Sequence, residues 1–484
     1  MGSKDKQEES AEEDENRIEE KIMLSLMAEN IVNFRADEVS NFNKLINSYN
    51  THISKNIEKN RYYEGKIRLD EVNLGIALPQ GMQGLEIGCA WGAKTVDVLA
   101  ARSMFDGFVG VNGDDIEQLD KIVTENDLIA EYAKACRDEL KYGCTFATLS
   151  ADPEIGCRIR FHSPQTAAAQ WDGQNGRIAR GFAIIDSVPD NDDLTWQPSL
   201  IYYYTDYAVF ELYRTDNIWT SREHPNIMGR PLMEALIWNA TSNKPFGRSR
   251  IKEPIRRLIQ GYVRTIANAT IGLEFSTAPQ KYLLGVTDDQ FDAVVNDKFR
   301  QYVGNIMTAT TNPENGEKPT FGQLQQGTIA PHVEMVRVLA TQFSAATGLS
   351  VTDTGVVNDA NPTSSDAILA QSQTLIGMAE QLNIGNGNSM RTIALMAQAI
   401  AGNTTIEALS DDQKDIVAHF KNPAMPSVAM TADAAIKIAS VRPGFAQTDV
   451  FAEMIGFDKA DIRRIKAQER MAQGLELVAG LGEI

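Results

Sequence analysis

The chain has 484 residues, 43% of them hydrophobic and 23% charged, and 65 Asp and Glu against 46 Lys and Arg give a net charge of -19. Its length predicts about two to four structural units of roughly 100 to 200 residues each. The acidic balance argues against tight binding of nucleic acid across most of the surface, because phosphate binding needs clustered Lys and Arg. No run of about 18 apolar residues predicts a membrane span or a membrane partner.

The start of the chain and the cysteines further limit the class of protein and its compartment. Met1 to Glu20 is acidic and polar, so no signal peptide is expected, and residues 1–20 are predicted to be disordered or a frayed helix. The cysteines, Cys89, Cys136, Cys144 and Cys157, form no CxxC pair, and the five histidines are scattered. We therefore expect reduced thiols in a cytoplasmic setting and no metal site.

The first half of the chain predicts an α+β region. Apolar residues at helical spacing predict two helices from Lys21 to about Tyr63, and helical periodicity returns from Val96 to Phe108 and from Leu128 to Tyr142. The stretch "GCTFATLSADPEIGCRIRFHSP" predicts a hairpin. Branched and aromatic residues between turn signals continue the β pattern. Those strand segments are Phe182–Asp186, Ser199–Tyr204 and Ala208–Arg214, followed by a loop at "REHPNIMGRP".

Two long helices then flank a small module. The first is predicted from Pro254 to Leu273, with an apolar stripe and with Arg256, Arg257 and Arg264 off that stripe. The module, residues 274–328, contains a strand at "QKYLLGV", a helix opening near Thr287 to Gln290, and the loop "TTNPENGEKP". The second helix is predicted from Pro331 to Thr347 and ends at Gly348.

The remainder is predicted to be mostly helical. The irregular stretch "LSVTDTGVVNDANP" precedes a long helix capped by Thr363, Ser364 or Ser365, on which Ile368, Leu375 and Leu382 lie one heptad apart. We interpret this heptad as core or subunit packing. After Gly402 we expect a linker, a strand near "PSVAMT", and three helices: Thr431 to Val441, Thr448 to Met454 and Lys459 to Val478.

The stretch "GLEIGCAWGAKT", Gly84 to Thr95, raises the question of a cofactor loop. Glu86, Gly88 and Gly92 fit a methyltransferase nucleotide loop, and "GFVGVNGDD" supplies a second strand with two acids. However, bulky Trp91 stands where the ligand would pass, and the alternating α/β units that should follow are absent. A phosphate-loop motif fails because Ala93 occupies the last glycine position. A structural loop leading into a helix, Ala93 to Ala101, is the favoured interpretation, with Val96 and Leu99 in the core.

No other catalytic constellation stands out. There is no His-Glu-x-x-His helix, no G-x-S-x-G elbow and no paired Cys and His. We therefore predict no enzyme and no cofactor; a methyltransferase-like enzyme that uses S-adenosylmethionine, suggested by "LEIGCAWG", stays the alternative.

Several motifs in one order carry a resemblance to a known family. "RYYEGKIRLDEVNLGIALP" is similar to the entry segment of portal proteins from long-tailed double-stranded DNA bacteriophages, and "WGAKTVDVLAARSMFDGF" to the tryptophan-containing turn and helix that follow it there. "NDLIAEYAKACRDELKYGCTFATL", "HPNIMGRPLM", "FGRSRIKEPIRRLIQGYVRTIANA" and "PQKYLLGV" resemble later segments, and "TGLSVTDTGVVNDANPTSSDAILAQSQTLIGMAE" the last one. The ordered set spans roughly Tyr62 to Glu380. The sequence departs from the family at Lys66 to Arg68 and at "EIGCAWG".

The resemblance implies a portal fold in a closed ring of about twelve subunits at one capsid vertex. Its parts would be a wing at residues 21–253, stem helices at 254–273 and 329–348, and a clip at 274–328. A tunnel loop would span 349–362, a long wing helix with a returning strand 363–430, and a helical crown 431–484. The wing strand and the crown helix would come from "KNPAMPSVAMTADAAIKI".

The resemblance also implies partners and site residues. Double-stranded DNA would pass without sequence specificity; the terminase large subunit, a head-tail adaptor and a major capsid or scaffolding protein would bind. The implied tunnel-loop residues are Thr352, Asp353, Thr354, Val356, Val357, Asn358, Asp359 and Asn361. The clip residues for partners are Asn312, Glu314, Asn315, Glu317 and Lys318, and Arg256, Arg257 and Arg264 would face the channel or a neighbouring subunit. Assembly is expected in the host cytoplasm and residence in the virion.

If "GLEIGCAWGAKT" is a structural turn, its polar and glycine residues need no ligand. We expect Gly88→Ala and Lys94→Ala to leave DNA packaging intact, measured as the DNA content of assembled particles. A selective loss of packaging in well-assembled particles would restore the cofactor hypothesis.

Overall fold

The chain divides into two units, Met1–Lys421 and Asn422–Ile484. The computed structural model describes residues 24, 26–68, 86–110, 117–189, 196–277, 281–284, 320–323, 328–356, 365–424, 428–457, 461–462 and 464–472. The acidic leader, predicted at residues 1–20, therefore lies outside the described residues.

The described helices include the two long helices that were predicted to flank the small module. In chain order they are α1 (Val39–Glu64), α2 (Trp91–Ala100), α3 (Glu117–Glu125), α4 (Leu128–Tyr142), α5 (Glu253–Thr277), α6 (Ala330–Thr347), α7 (Ser365–Ala401), the single-turn α8 (Asp411–Lys414), α9 (Val428–Val441) and α10 (Asp449–Met454). The helices predicted from Leu128, Pro254 and Pro331 are confirmed as α4, α5 and α6. Gly348 ends α6 with a φ of 74°, a left-handed backbone that favours glycine.

The strands pair antiparallel throughout the named ladders. They are β1 (Lys66–Arg68), β2 (Glu86–Gly88), β3 (Phe105–Gly110), β4 (Cys144–Asp152), β5 (Gly156–His162), β6 (Ala167–Asp172), β7 (Arg177–Pro189), β8 (Trp196–Tyr204), β9 (Ala208–Thr215), β10 (Ile218–Pro225), β11 (Met233–Ile237), β12 (Lys281–Leu284), β13 (Thr320–Gln323) and β14 (Ile416–Phe420). The mixture of helices and antiparallel sheets confirms the α+β prediction.

The strands form one large sheet and several small ones. The five-stranded sheet has the order β10-β9-β8-β7-β6, and a three-stranded sheet has the order β11-β4-β5. The pairs β1-β2, β12-β13 and β14-β3 stand as two-stranded sheets. The hairpin predicted from "GCTFATLSADPEIGCRIRFHSP" is β4-β5, and the three further predicted strands lie within β7, β8 and β9.

Helix α1 packs its aromatic face on the five-stranded sheet. The ring of Phe42 lies 5.0 Å from that of Tyr203 and 6.2 Å from that of Phe182, both edge to face. At the start of the helix the buried carboxylate of Glu38 accepts hydrogen bonds from Tyr203 Oη at 2.6 Å and from Arg180 Nη1 at 3.0 Å. The buried charge of Glu38 is therefore satisfied by hydrogen bonds, which offset the cost of removing a charge from water.

The segment before α1 corrects the prediction of two helices between Lys21 and Tyr63. Before Val39 the described residues contain only a 3₁₀ turn, Ala28–Asn30. Val32 instead forms a bridge with Thr220 at the edge of the five-stranded sheet, and the apolar residues around it, such as Ile31, are buried against that sheet. A few apolar residues spaced three and four apart do not distinguish one face of a helix from an irregular segment that covers a sheet edge, because in both cases those residues are buried against the same surface.

Three other local predictions were wrong in extent or type. The helix predicted from Val96 to Phe108 ends at Ala100, and β3 begins at Phe105. The strand predicted near "PSVAMT" is absent from its described part, because α9 begins at Val428; the strand that pairs with β3 is β14, at Ile416–Phe420. Residues 222–225 of the predicted loop "REHPNIMGRP" extend β10. Alanine-rich "VAMTADAAIKIA" favours a helix, whereas β-branched "IV" begins the true strand.

The second unit is helical in its described residues. Helix α9, a 3₁₀ turn at Pro443–Gln447 and α10 follow one another, and residues 461–462 and 464–472 are also helical. Thr448 caps α10 by accepting the N–H of Phe451 at 3.3 Å, and the ring of Phe451 meets that of Phe445 edge to face at 5.9 Å. The helices predicted at Thr431–Val441 and Thr448–Met454 are confirmed.

A buried polar network joins α4 to α7 in the core of the first unit. Asn386 Nδ2 on α7 donates to Glu139 Oε2 at 2.7 Å and to Tyr132 Oη at 2.9 Å, and Ser103 Oγ lies 2.7 Å from the same phenol oxygen. Glu139 is fully buried and its Oε1 has no hydrogen-bond partner. Burial raises the pKa of Glu139 from 4.5 to about 8, although the Asn386 hydrogen bond opposes the change.

The raised pKa of Glu139 makes stability depend on pH. Between about pH 4.5 and about pH 8 the folded chain keeps a proton that the unfolded chain has lost, so the free energy of unfolding falls as pH rises, by at most about 1.4 kcal/mol per pH unit. Glu139→Gln removes this dependence because glutamine does not titrate. In urea unfolding, the stability of the wild type relative to Glu139→Gln should fall from pH 5 to pH 8 and then level off. Parallel pH profiles would show that Glu139 does not hold the proton.

Candidate functional site at the helix junction

Helices α5 and α6 run antiparallel, and the two-stranded sheet β12-β13 lies between them in the chain. Leu339 on α6 packs over Gly261 on α5, and beyond the helix ends Lys281 pairs with Gln323. Residue 261 faces residue 339, and residue 281 faces residue 323. The facing residue therefore comes earlier in α6 and the strand before it as the chain advances along α5, which means that the two helices are antiparallel. The strand predicted at "QKYLLGV" is confirmed as β12. The predicted clip residues, Asn312, Glu314, Asn315, Glu317 and Lys318, and the helix predicted near Thr287, lie outside the described residues.

Trp91 at the start of α2 holds these two helices against the sheet-bearing part of the unit. Its indole lies between Tyr262 on α5 and Phe343 on α6, with ring centroids 4.6 Å and 4.7 Å away. The indole Nε1 donates a hydrogen bond to Thr354 O at 3.2 Å. One side chain that is 4% exposed therefore contacts both long helices and the segment that follows them.

The segment after α6 is ordered into one 3₁₀ turn, Val351–Thr354. Ser350 and Asp353 form a reciprocal capping box, in which Asp353 N donates to Ser350 Oγ at 3.3 Å and Ser350 N donates to Asp353 Oδ2 at 3.0 Å. Thr352 and Gly355 are exposed, whereas Val356 packs partly buried against the core. Thr352, Asp353 and Thr354 of the predicted tunnel loop therefore lie on this turn, and Val356 follows it after Gly355. The other four, Val357, Asn358, Asp359 and Asn361, lie outside the described residues.

Arg250, which lies just before α5, also links elements that meet at this junction. Its Nε donates to Thr95 O at 2.6 Å and its Nη2 to Thr347 O at 2.8 Å, and Nη1 lies 3.3 Å from Met378 Sδ. These acceptors belong to α2, α6 and α7, and none of them is charged. Burial without a counter-ion lowers the pKa of Arg250 to about 10, so the guanidinium stays charged at neutral pH.

Two of the three predicted basic residues on α5 pair with acids of their own chain. Arg256 forms ion pairs with Glu58 on α1 and with Glu253, the latter at 2.7 Å, and Arg257 pairs with Glu253 at 3.0 Å. The sequence left open whether these arginines face a channel or a neighbouring subunit. Their charge is at least partly compensated within the chain. Arg264 is exposed on the same helix and has its own interaction.

The stretch "GLEIGCAWGAKT" does not have the topology that a methyltransferase loop requires. Strand β2 pairs antiparallel with β1, and β3 pairs antiparallel with β14, whereas nucleotide-binding α/β folds use parallel strands around the loop. A Cβ at Gly92 would collide with the carbonyl oxygen of Tyr62, so this glycine lets α2 approach α1. The methyltransferase alternative is thereby contradicted. The predicted core residues Val96 and Leu99 are completely buried.

Within the described ranges, no group of three or more His, Cys, Asp or Glu side chains is placed to hold a metal ion. All four cysteines are buried free thiols. The described part of the chain has no helix with the length and apolar character of a membrane span.

Sequence reasoning singled out Trp91 but missed its partners and Arg250. Tyr262 belongs to the apolar stripe of its predicted helix and Phe343 was not singled out, because nothing local distinguishes a ring that packs against a residue far away in the chain. Arg250 stood in "GRSRIKEP" as one basic residue among several. No local signal marked Arg250, because Glu253 lies only three residues after it and the sequence alone permits an ordinary ion pair there.

The comparisons with known proteins identify a family over most of the chain. The family model for "Phage portal protein, SPP1 Gp6-like" matches residues 43–475. No curated protein matches the chain. A solved structure described as "Neck of empty GTA particle computed with C6 symmetry" is similar at 12% identity, covering 76% of this chain and 90% of that one, with a TM-score of 0.43. "Neck of native GTA particle computed with C12 symmetry" is similar at 12% identity, with coverage of 76% and 89% and a TM-score of 0.41. At these TM-scores the two structural likenesses carry no argument.

Two substitutions separate the packing of Trp91 from its hydrogen bond. Trp91→Ala should lower the free energy of unfolding by about 3 to 5 kcal/mol, because it opens a cavity between α5 and α6. Trp91→Phe keeps an aromatic ring there and loses chiefly the donor to Thr354, so the expected loss is about 0.5 to 1.5 kcal/mol. Urea unfolding of the three proteins measures both effects. Equal losses of unfolding free energy in the two variants, or a negligible loss in Trp91→Ala, would show that the Trp91 ring does not hold α5 and α6 in place.

Proposed function

The chain belongs to the SPP1 Gp6-like phage portal protein family, and from this membership we propose that it forms a dodecameric ring, of about twelve copies, at one capsid vertex. The resemblance to phage portal proteins that was read from the sequence is confirmed by the match over residues 43–475. This match is the observation that carries the proposal. The ring would be the channel through which DNA is packaged and later leaves.

The parts of the portal follow from this proposal. Residues 21–253 form the wing, 254–273 and 329–348 the stem, 274–328 the clip and 349–362 the tunnel loop. Residues 363–430 hold the long wing helix and the returning strand, and 431–484 the crown. Support for the stem and clip comes from the antiparallel pair α5 and α6, between which the chain forms the antiparallel strand pair β12-β13.

The tunnel-loop assignment is supported by how the segment is held. Its first part is fixed by the capping box of Ser350 and Asp353 and by the Trp91 hydrogen bond to Thr354. Thr352 and Gly355 remain exposed beside these fixed residues. A short polar turn anchored at the stem is suited to contact passing DNA without reading its sequence, because it offers few groups that could grip a base edge.

Charge supports a channel in which DNA slides. The chain has 65 Asp and Glu against 46 Lys and Arg, and Arg256 and Arg257 on α5 are paired with acids of the same chain. Compensated arginines bind phosphate less tightly than free ones, since each uncompensated contact strengthens binding and slows release. We propose that Arg256, Arg257 and Arg264 adjust the electrostatic potential of the channel without binding DNA tightly.

The portal carries out no chemistry in this proposal. The terminase large subunit docks at the clip and supplies the energy for packaging, and a head-tail adaptor replaces it afterwards. Clip residues Asn312, Glu314, Asn315, Glu317 and Lys318 are proposed to contact these partners. The major capsid or scaffolding protein binds the outside of the ring during assembly in the host cytoplasm, and the finished ring stays in the virion.

The ring itself would cover apolar side chains that the single chain exposes. On α6, Val333, Met335 and Val338 are 47%, 47% and 44% exposed. Exposed apolar groups clustered on one helix commonly mark a protein interface. Their burial between neighbouring stems would favour association.

Native mass spectrometry and negative-stain images of the purified chain test the proposal. We expect a closed ring, and closure is more diagnostic than the exact subunit number. Val338→Glu should raise the concentration needed for half-assembly by about tenfold or more, because it places a charge at an apolar contact. Gln174→Glu, an exposed change in the β6-β7 turn, is the matched control and should have little effect. A monomer under every condition would contradict the proposal.

A further inference from the structure

A cavity of about 530 Å³ lies beside the helix junction, and the ionisable side chains in its otherwise neutral lining are both cationic. It is bounded by the turn after β11, the residues before α5, the end of α6 and the middle of α7. Arg250 and Lys252 are the ionisable side chains among its lining residues, and no Asp or Glu is present. In a chain with a net charge of -19, such a lining is opposite in sign to the molecule as a whole.

Within the part of the chain that the structure describes, the Arg250 guanidinium has no anionic partner. Arg250 is 7% exposed and lies over the Trp238 ring, 5.8 Å from its centroid, and its side-chain hydrogen bonds go to two backbone carbonyls and one thioether sulfur. These hydrogen bonds use three of the five N–H groups of a guanidinium. A buried cation is stabilised most strongly by a carboxylate, which can accept two N–H groups at once. The site is therefore incomplete in the single chain.

The rim of the cavity is open and unusually free of side chains. Gly377, Gln381, Ile384 and Gly385 share one exposed face of α7, and the last three line the cavity. A Cβ at Gly377 or at Gly385 would meet nothing within 4 Å. A glycine inside a helix costs about 0.5 to 1 kcal/mol relative to alanine, so packing within the chain does not explain either residue. Ile384 is 70% exposed beside them.

We propose that this cavity receives an Asp or Glu side chain from a neighbouring copy of the chain, whose backbone lies against Gly377 and Gly385. The carboxylate binds Arg250 at the base and Lys252 at the rim, and the glycines allow the close approach. A second copy fits because the chain is rich in acids and because a ring repeats the same heterologous contact at every subunit boundary. This inference rests on the proposed ring and names one of its contacts.

Zero-length crosslinking tests the contact directly. Rings assembled from a mixture of unlabelled and isotope-labelled chains are treated with a carbodiimide, which joins a lysine amine to a carboxylate without a spacer. We expect peptides that link Lys252 to an Asp or Glu with mixed isotope labels, which identify the acid and show that it comes from another copy. Rings in which Lys252 links only within its own copy, or not at all, would overturn the proposal.

A pair of charge reversals gives an independent readout. Lys252→Glu should raise the concentration for half-assembly by about tenfold, since it opposes the incoming carboxylate. Lys244→Glu makes the same change at an exposed residue of the preceding turn that does not line the cavity, and should shift assembly less than about twofold. Equal shifts overturn the cavity contact. A chain that forms no ring at all overturns the proposed function itself, whereas intact rings without the Lys252 link overturn only this inference.

Discussion

The packing of the Trp91 indole against the tilted rings of Tyr262 and Phe343 is the contact that joins the two long helices to the rest of the first unit. It brings the helix after β2 against both long helices, and the indole N–H fixes the turn that follows Gly348. Arg250 completes the junction by binding the carbonyl groups of Thr95 and Thr347. Burial of the aromatic rings stabilises the junction without fixing its geometry, because the hydrophobic effect is non-directional. The hydrogen bonds of the Trp91 indole and of the Arg250 guanidinium are directional and fix how the elements are oriented.

The buried polar groups of the unit lie where large elements meet. Glu139 and Asn386 link α4 to α7, Glu38 links α1 to the five-stranded sheet, and Arg250 links α2, α6 and α7. Each costs desolvation and gains specific hydrogen bonds, so a misaligned arrangement of these elements would leave a buried charge or amide unsatisfied. The relative alignment of these elements is therefore set by hydrogen bonds as well as by apolar burial.

Local pattern predicted the elements whose packing is simple. Helices α4, α5 and α6 show apolar residues at a period of 3.6, and their ends carry glycine or proline signals, so their extents were predicted within a few residues. The segment before α1 was not, because its apolar residues cover a sheet edge formed some 190 residues later. Strand β14 was missed for a related reason, since five residues gain strand structure only by pairing with β3. The family resemblance located Trp91, but its two ring partners and Arg250 required the three-dimensional structure.

A cryo-electron microscopy reconstruction of the proposed ring is the most direct test. We expect Trp91 to contact Tyr262 and Phe343 in every subunit, with residues 351–355 directed toward the central axis and held by the Trp91 hydrogen bond to Thr354. A ring in which Trp91 is exposed, or in which residues 351–355 lie on the outer surface, would contradict this expectation.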